Sequence, residues 1–588
     1  MASMSLNAAA GLPGMLKAGH THQGGGGAGS GGAESVLLRN VEAARDLTRI
    51  VSTSLGPDGR NKLVVNHLGR IIVTSDCAAI VRELEIEHPA ARMIAMASDA
   101  QDKECGDGTN LVVSLAGELL GRTEELVRMG LHPSDIVAGY ELAGTKMLEL
   151  LDGIECGRLG PDEVATEAGM ISVVRPVVAA KQRGSEDVLA PLVAEACLAA
   201  MGGSRRGGSG GGRPSVSPEA VRVVKILGSD VSRSRVVRGF VALRGSESAV
   251  SAVTGARVAV FGCGIEASGT EAKGTVMMKT ADDLLGYNRS EEDKMEEIIK
   301  SLADAGVSVV VSGGSVSEMA LHFLDRYGIM AVRCPSKFDL RRLCAATGAT
   351  ALVRLGPPTP EEMGSASSVR VEEVGSRKVT IFAQSAASDG GSDDDGSSRV
   401  SSLSTIVLRA STASNLQDLE RAVDDGVRAA QAACRDGRVV AGAGSAEMAL
   451  SVALRSYADA RPGLDQYSIR AFASALEVVP RTLARNSGSD PEEAVAALGA
   501  VHASFASASA GGDGPLCLAG IDIDAAARDH GTTSGIDAST EVRDLLATKA
   551  NAFRLAVDAA LTVLKVDQII MARPSGAGKM KDARMGQS

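Results

Sequence analysis

"ECGDGTNLVV", residues 104–113, closes one run of helical spacing and opens another. Gly106 and Gly108 frame Asp107, and Thr109, Asn110 and Leu111 follow at a helix opening. Glycines at a helix N-terminus leave backbone N–H groups bare to an anion, which makes a phosphate cradle. Such cradles usually recruit a lysine, whereas this one carries a carboxylate. Two like charges about 4 Å apart, at an effective dielectric near 20, cost roughly 4 kcal/mol. A divalent cation between them removes that cost, and Mg²⁺ commonly takes one or two carboxylates together with nucleotide phosphate oxygens. Asp107 therefore makes sense as a metal ligand in a nucleotide site, with a plain GDG turn as the even alternative.

Outward from this stretch the pattern is helical on both sides. Glu34–Ser54 places Val36, Leu37, Val41, Ala44 and Leu47 at helical spacing and stops at "LGPDG". "NKLVVN" and "RIIVTSD" are short β runs around a polar turn, a hairpin signal. Pro89 opens a helix through "AARMIAMASDAQDKE", and from Asn110 the helical pattern continues through "VRMGLHPSDIVAGYELAGTKMLELL". The middle differs. "RVAVFG", "VSVVVSG", "IMAVRC" and "ATALVRLG" alternate with "EEDKMEEIIKSLADAG" and "SVSEMALHFLDRYG", an α/β unit over residues 236–400. Helical spacing returns in "NLQDLERAVDDGVRAAQAACRDG", "AEMALSVALRSYADA" and "NAFRLAVDAALTVLKVDQII". Helical, then α/β, then helical predicts one domain inserted between two halves of another.

Other stretches add to the chemistry. "TSLGPDG" (Thr53–Gly59) ends the first helix in a tight turn, "TSDCAAI" puts Asp76 at a strand end, and "ERAVDDGV" puts Asp425 on a helix. Several carboxylates and glycine turns without a lysine-bearing loop suggest Mg-nucleotide hydrolysis with an aspartate orienting water. The bland alternatives are a helix cap for Asp76 and a solvated face for Asp425. "PSGAGKM" at 574–580 imitates a phosphate loop but lacks the upstream glycine and ends in Met580, so it is rejected.

Composition narrows the class. The chain has 588 residues, 44% of them hydrophobic but only 2% aromatic, with no Trp, so small aliphatic residues carry the packing. A net charge of -11 argues against nucleic acid as principal partner. No apolar run reaches the roughly 18 residues of a membrane span, and no signal peptide is legible at the N-terminus. Nine scattered Cys without CxxC suggest reduced, mostly buried thiols of a cytosolic protein. Residues 1–33, which include His20 and His22, together with 202–215, 388–399 and "SASAGGDG" near 507–514, are glycine-rich and read as tails, linkers or surface insertions.

Taken together, these stretches resemble the group II chaperonins. The resemblance covers nearly everything from residue 34 to 573 and runs through "LGPDGRNKLVVNHL", "VRELEIEHPAARMI", "GDGTN", "AKGTVMMKTADDLL", "GGSVSEMALHF", "KFDLRRLCAATGATAL", "STIVLRAST", "ERAVDDGV" and "AALTVLKVDQIIMA". It implies a multidomain α/β chaperonin fold with a mainly helical equatorial ATPase domain (34–150 and 437–573). A small intermediate hinge (151–235 and 401–436) and an inserted apical domain (236–400) complete it, with loose ends at 1–33 and 574–588. It also implies a cytosolic hetero-oligomeric double ring of chaperonin subunits that closes around unfolded client proteins, with ATP/ADP and Mg²⁺ as cofactors and neither nucleic acid nor membrane as partner.

By position, the resemblance makes Asp107 the Mg²⁺ ligand and Asp76 and Asp425 the carboxylates that position and activate water. Leu55, Gly56, Gly108, Thr109, Asn110 and Leu111 correspond to phosphate-contacting turns. Lys181, beside Ala180, corresponds to a γ-phosphate sensor, and Gly442 and Asp544 to contacts near ribose and base. Residues 268–293 correspond to a lid-forming protrusion, and Met319, His322 and Phe323 to client contacts or, equally, to core positions. Several positions depart from the family pattern. The usual NDGAT is "SDCAA", which brings in Cys77 and Ala79; GPKG is "GPDG", which brings in Asp58; GGG is "GAG", which brings in Ala443; and GILD is "EVRD". These departures motivate an alternative, a client-binding ring subunit with slow or lost hydrolysis. Because Asp76, Asp107 and Asp425 are all present, a working ATPase is the expectation.

Overall fold

The computed structural model describes residues 32–66, 69, 71–201, 214–266, 281–384, 403–508, 517–523, 536–537 and 542–569, with side chains omitted at 32–35, 281–291, 507–508 and 536–537. Residues up to 31, 202–213, the glycine-rich stretch 388–399, most of 507–514, residues 268–280 of the stretch expected to form a lid protrusion, the 574–580 stretch and the rest of the chain from 570 lie outside the described residues.

The chain begins with α1 (Gly32–Ser52), the hairpin β1 (Lys62–Val65) and β2 (Ile71–Thr74), α2 (Cys77–Glu83), α3 (Pro89–Glu104), α4 (Thr109–Arg128) and α5 (Pro133–Gly153). The hairpin is antiparallel, with Lys62 opposite Thr74. The long helical pattern after Asn110 is in fact two helices. Gly130 takes a left-handed φ of 94°, and His132 caps α5 through its ring ahead of Pro133. The chain continues through β3 (Gly157–Arg158), α6 (Pro161–Val164), α7 (Glu167–Ala179) and α8 (Glu186–Met201).

The middle is one nine-stranded mixed sheet. It contains β4 (Val221–Leu227), β5 (Arg235–Ala242), β6 (Ala252–Phe261), β7 (Val309–Ser312), β8 (Met330–Arg333), β9 (Ala351–Leu352), β10 (Gly364–Val374), β11 (Arg377–Ala383) and β12 (Ser404–Ala410). Helices α9 (Ala281–Asp304), α10 (Glu318–Arg326) and α11 (Lys337–Thr347) connect its parallel part, β6–β7–β8. The β-branched runs of the sequence mark that parallel part. Among the antiparallel strands, β10 carries Arg370 and Glu372 on one face and Val369 and Val371 on the other, an alternation that hides it from a search for apolar runs.

The last third comprises α12 (Ala413–Arg435), β13 (Arg438–Ala441), α13 (Ser445–Asp459), α14 (Asp465–Leu476), α15 (Val478–Ser487) and α16 (Pro491–Ala508). It ends with β14 (Gly520–Ile521), β15 (Ile536–Asp537), β16 (Arg543–Leu545) and α17 (Leu546–Leu564). One apolar core draws from both chain ends, Leu37 to Leu151 and Val440 to Leu564. A second joins α7 and α8 to α12, with contributions from β4 and β12. Among the described residues no helix is long and apolar enough to cross a membrane. None of the nine cysteines is in a disulfide; four are buried and five half-buried.

Small residues set the helix spacing. A Cβ added at Gly117 of α4 would lie 1.8 Å from Thr48 Oγ1 of α1, and that hydroxyl donates to Ala44 O and to Val113 O of α4. Gly117→Ala should therefore destabilise by about 1–3 kcal/mol through overpacking, despite the better helix propensity of alanine. Gly153→Ala, where an added Cβ meets nothing within 4 Å, should not. Urea unfolding midpoints of the two variants check this.

Candidate active site

The turn between α3 and α4 is built by Gln101 and its glycines. Gln101 Nε2 donates to Asp107 O at 2.7 Å, and Gly108 is the N-cap of α4 at φ 79° with no side-chain cap. The first N–H groups of a twenty-residue helix are thus left for another acceptor. Gly106 matters for packing instead. A Cβ there would strike Arg428 Cδ at 2.6 Å, so its absence lets α12 lie against the turn. Asn110 spends its side chain inside the protein. Its amide donates to Val51 O and to Ser54 Oγ, which ties α4 to the turn that carries Leu55 and Gly56. Thr109 is buried.

These turns line a cavity of about 800 Å³. Leu55, Gly56, Asp107, Gly108, Leu111, Ala180 and Asp544 all face it, together with Ala443, Gly444 and Lys549. Its size suits a nucleotide-sized ligand. Asp107 is half-buried at the wall; burial and the charge of Asp544 push its carboxyl pKa up, and the Gly108 N–H and two lysines offset this only in part. A carboxylate held under such conditions is one that a cation would relieve. Among the described residues no cluster of three or more His, Cys, Asp or Glu could hold a metal by itself. Asp107 therefore fits Mg²⁺ only as a single protein carboxylate alongside phosphate oxygens and water.

Asp76, Asp425 and Lys181 adjoin the cavity rather than line it. Lys181, just after α7, reaches Asp76 Oδ1 at 3.0 Å and ion-pairs closely with Asp425 Oδ2. Asp76 does cap α2, accepting from Ala79 N at 3.2 Å, and makes the lysine contact as well. Asp425 is only 4% exposed, which removes the solvated-face reading. Burial alone would raise the Asp76 pKa; the charge and hydrogen bond of Lys181 outweigh it, so the carboxyl lies below its ordinary value.

Gly442 is buried in the β13–α13 turn and donates its N–H to Val542 O at 2.9 Å. Asp544 on β16 stands opposite Val440 of β13 and pairs with Lys549 at 3.0 Å. Lys549 also bonds Glu447 at 2.8 Å, and the two carboxylates hold its pKa above that of a free lysine against the opposing effect of burial. Sequence reading missed Glu447 and Lys549. Their signal is a charged residue within otherwise apolar helical runs, "SAEMAL" and "LLATKANAF".

The departures resolve individually. Cys77 and Ala79 are buried on α2, away from the cavity wall, and burial pushes the Cys77 thiol up to about 12. Asp58 forms a close ion pair with Arg183, a residue of the cavity wall, so a cation is present at the mouth from the opposite side. Ala443 takes φ 53°, a left-handed conformation that costs a residue with a Cβ roughly 1–2 kcal/mol. In the sheet unit, Met319 and Phe323 are half-buried against the core below α10, whereas His322 is exposed, its ring edge-on to Phe323. Phe338, at 79% exposure, and Val353, at 86%, are the large apolar side chains most open to solvent there.

The profile of the TCP-1/cpn60 chaperonin family matches residues 47–574. The chain belongs to that family. Among its relatives, T-complex protein 1 subunit theta of Arabidopsis thaliana is 44% identical over 97% of this chain and 96% of the relative. The theta subunit of Dictyostelium discoideum is 41% identical over 97% and 98%, and that of Homo sapiens 42% identical over 97% and 96%. A chaperonin cavity beside a lysine-bridged carboxylate pair is what the remaining chemistry has to explain.

Lys181→Met would leave two buried carboxylates without their cation, a loss of about 3–5 kcal/mol at pH 7. Because the folded Asp76 pKa is depressed, its contribution is present above the unfolded value of about 3.9 and lost as pH falls through the folded value. The gap between wild type and variant, followed by urea unfolding, should therefore be widest near neutrality and shrink below about pH 4.

Proposed function

We propose that this chain is a theta-type subunit of a hetero-oligomeric cytosolic chaperonin ring, and that its own site binds and hydrolyses Mg-ATP to drive closure around client proteins. The observation that carries this reading is Lys181, which bridges Asp76 and Asp425 beside a cavity walled by Asp107 and two glycine turns. The domain reading follows the cores: an equatorial unit from both chain ends, an intermediate hinge of α7, α8 and α12, and an apical sheet unit.

In this site the α4 N-terminus and the Leu55–Gly56 turn would take the phosphates, and Asp544, held by Lys549, the ribose end. Asp107 would hold Mg²⁺, which neutralises phosphate charge when bound. Asp76 and Asp425 orient and deprotonate the attacking water. While Lys181 sits between them, both carboxylates are satisfied and poor bases. Drawing the ammonium toward a γ-phosphate leaves two buried like charges facing each other, which raises their basicity where a proton must be taken up. Client contact belongs to exposed apical side chains, His322 together with Phe338 and Val353, while Met319 and Phe323 serve the core.

In rings photolabelled with an azido-ATP analogue, Asp425→Ala should keep this subunit's label within about twofold and lower the ADP fraction on it by about 100-fold or more. Asp107→Ala, or EDTA, should abolish labelling itself. Full conversion to ADP by the Asp425 variant would remove Asp425 from the catalytic role, whereas ATP left unhydrolysed on the wild-type subunit while its neighbours turn over would point to a subunit whose client binding matters and whose hydrolysis does not.

A further inference from the structure

Asp418 lies two turns before Asp425 on the same face of α12, at 5% exposure, and none of the chemistry above uses it. Its two oxygens are divided between the two loops that carry the rest of the site. Thr74 Oγ1 donates to Asp418 Oδ1 at 2.6 Å, and that same threonine oxygen accepts the backbone N–H of Asp76 at 3.0 Å. Gln182 Nε2, on the residue next to Lys181, donates closely to Asp418 Oδ2. Arg421, one turn along α12, is 3.7 Å away. Burial pushes the Asp418 carboxyl above its ordinary range, with the Thr74 bond and nearby cations offsetting it only partly. A buried carboxylate is a poor source of stability compared with an apolar side chain of similar volume, and a role in fixing register is the better-attested reason for one.

We propose that Asp418 is a positioning residue for the hydrolytic step. One carboxylate grips the loop ahead of Asp76 and the loop behind Lys181, and so sets the register in which α12 delivers Asp425 between them. The proposal rests on the ATPase reading above and adds a contact pattern in which α12 is read at two points along its length. Misplacing a catalytic group by about 1 Å can cost on the order of 100-fold in rate while substrate binding is untouched.

The test uses assembled rings and the photoreactive ATP analogue, with label and ADP fraction read on this subunit alone. Asp418→Ala should keep labelling within about twofold of wild type and lower conversion by about 10- to 100-fold. Asp418→Asn should recover conversion to within about fivefold, because its amide oxygen still accepts from Thr74 and Gln182 can turn its own oxygen toward the new N–H. Should Asp418→Ala fail to assemble, Thr74→Val removes one of the two grips and should lower conversion with labelling intact. Wild-type conversion by Asp418→Ala or Thr74→Val overturns the proposal, as does an Asn variant no better than Ala. If wild-type rings leave ATP unconverted on this subunit, the ATPase reading fails; if Asp425→Ala converts ATP normally, the catalytic role of Asp425 fails; if only the Asp418 and Thr74 variants do, the positioning role alone fails.

Discussion

One ammonium group, that of Lys181, reaches two carboxylates that the chain delivers from distant parts of its length. Each of the three charges is largely removed from water, and each would be costly to bury by itself. They are tolerable only together, and they are together only when α12, the segment after α7 and the loop before α2 are docked at once. The charge arrangement is thus conditional on the tertiary arrangement. Whatever competes for that ammonium, a phosphate above all, acts on the packing of all three elements. Coupling of this kind needs no long pathway, because the one ammonium group that bridges the carboxylates also ties together the three elements that carry them.

Helix α12 is the element on which this convergence turns. Gly426 lets it press against Val174 and Val193, where a Cβ would meet their methyl groups at 3.1 and 3.4 Å. Arg428 reaches across to Asp102 and fills the space that Gly106 leaves open. Asp425 and Asp418 occupy the face toward Lys181, Gln182 and Thr74. A chain without Trp and with few aromatics packs backbone close to backbone, so small displacements of one helix are transmitted to its neighbours rather than absorbed by large, adaptable side chains.

The departures from the family pattern are absorbed locally. The carboxylate of Asp58 is answered by Arg183 of the cavity wall, so a cation still stands beside that turn. Cys77 and Ala79 became core, and Ala443 keeps the left-handed turn at some strain. None of these changes disturbs the Lys181 contacts.

Much of the architecture was legible in the chain. The helical segments around Leu37, Ile94 and Leu115, the parallel strands around Val260, Val310 and Ala331, and the glycine turns at 56 and 106–108 follow from local periodicity and backbone freedom, which neighbouring residues settle among themselves. The resemblance supplied Asp76, Asp107, Asp425 and Lys181 as a set. The antiparallel strands, the break at Gly130, and the partnerships Asp58–Arg183, Asp544–Lys549–Glu447 and Asp418–Thr74–Gln182 were not legible. The break at Gly130 is set locally, by its left-handed φ and the His132 cap; the strand pairings and charge partnerships depend on which distant segments meet, and a buried charge carries no mark in the sequence of the countercharge that will make its burial tolerable. The helices and parallel strands were therefore decided by sequence alone, and the antiparallel strands and charge pairing by the fold, because periodicity is a property of adjacent residues whereas strand pairing and electrostatic compensation are properties of space.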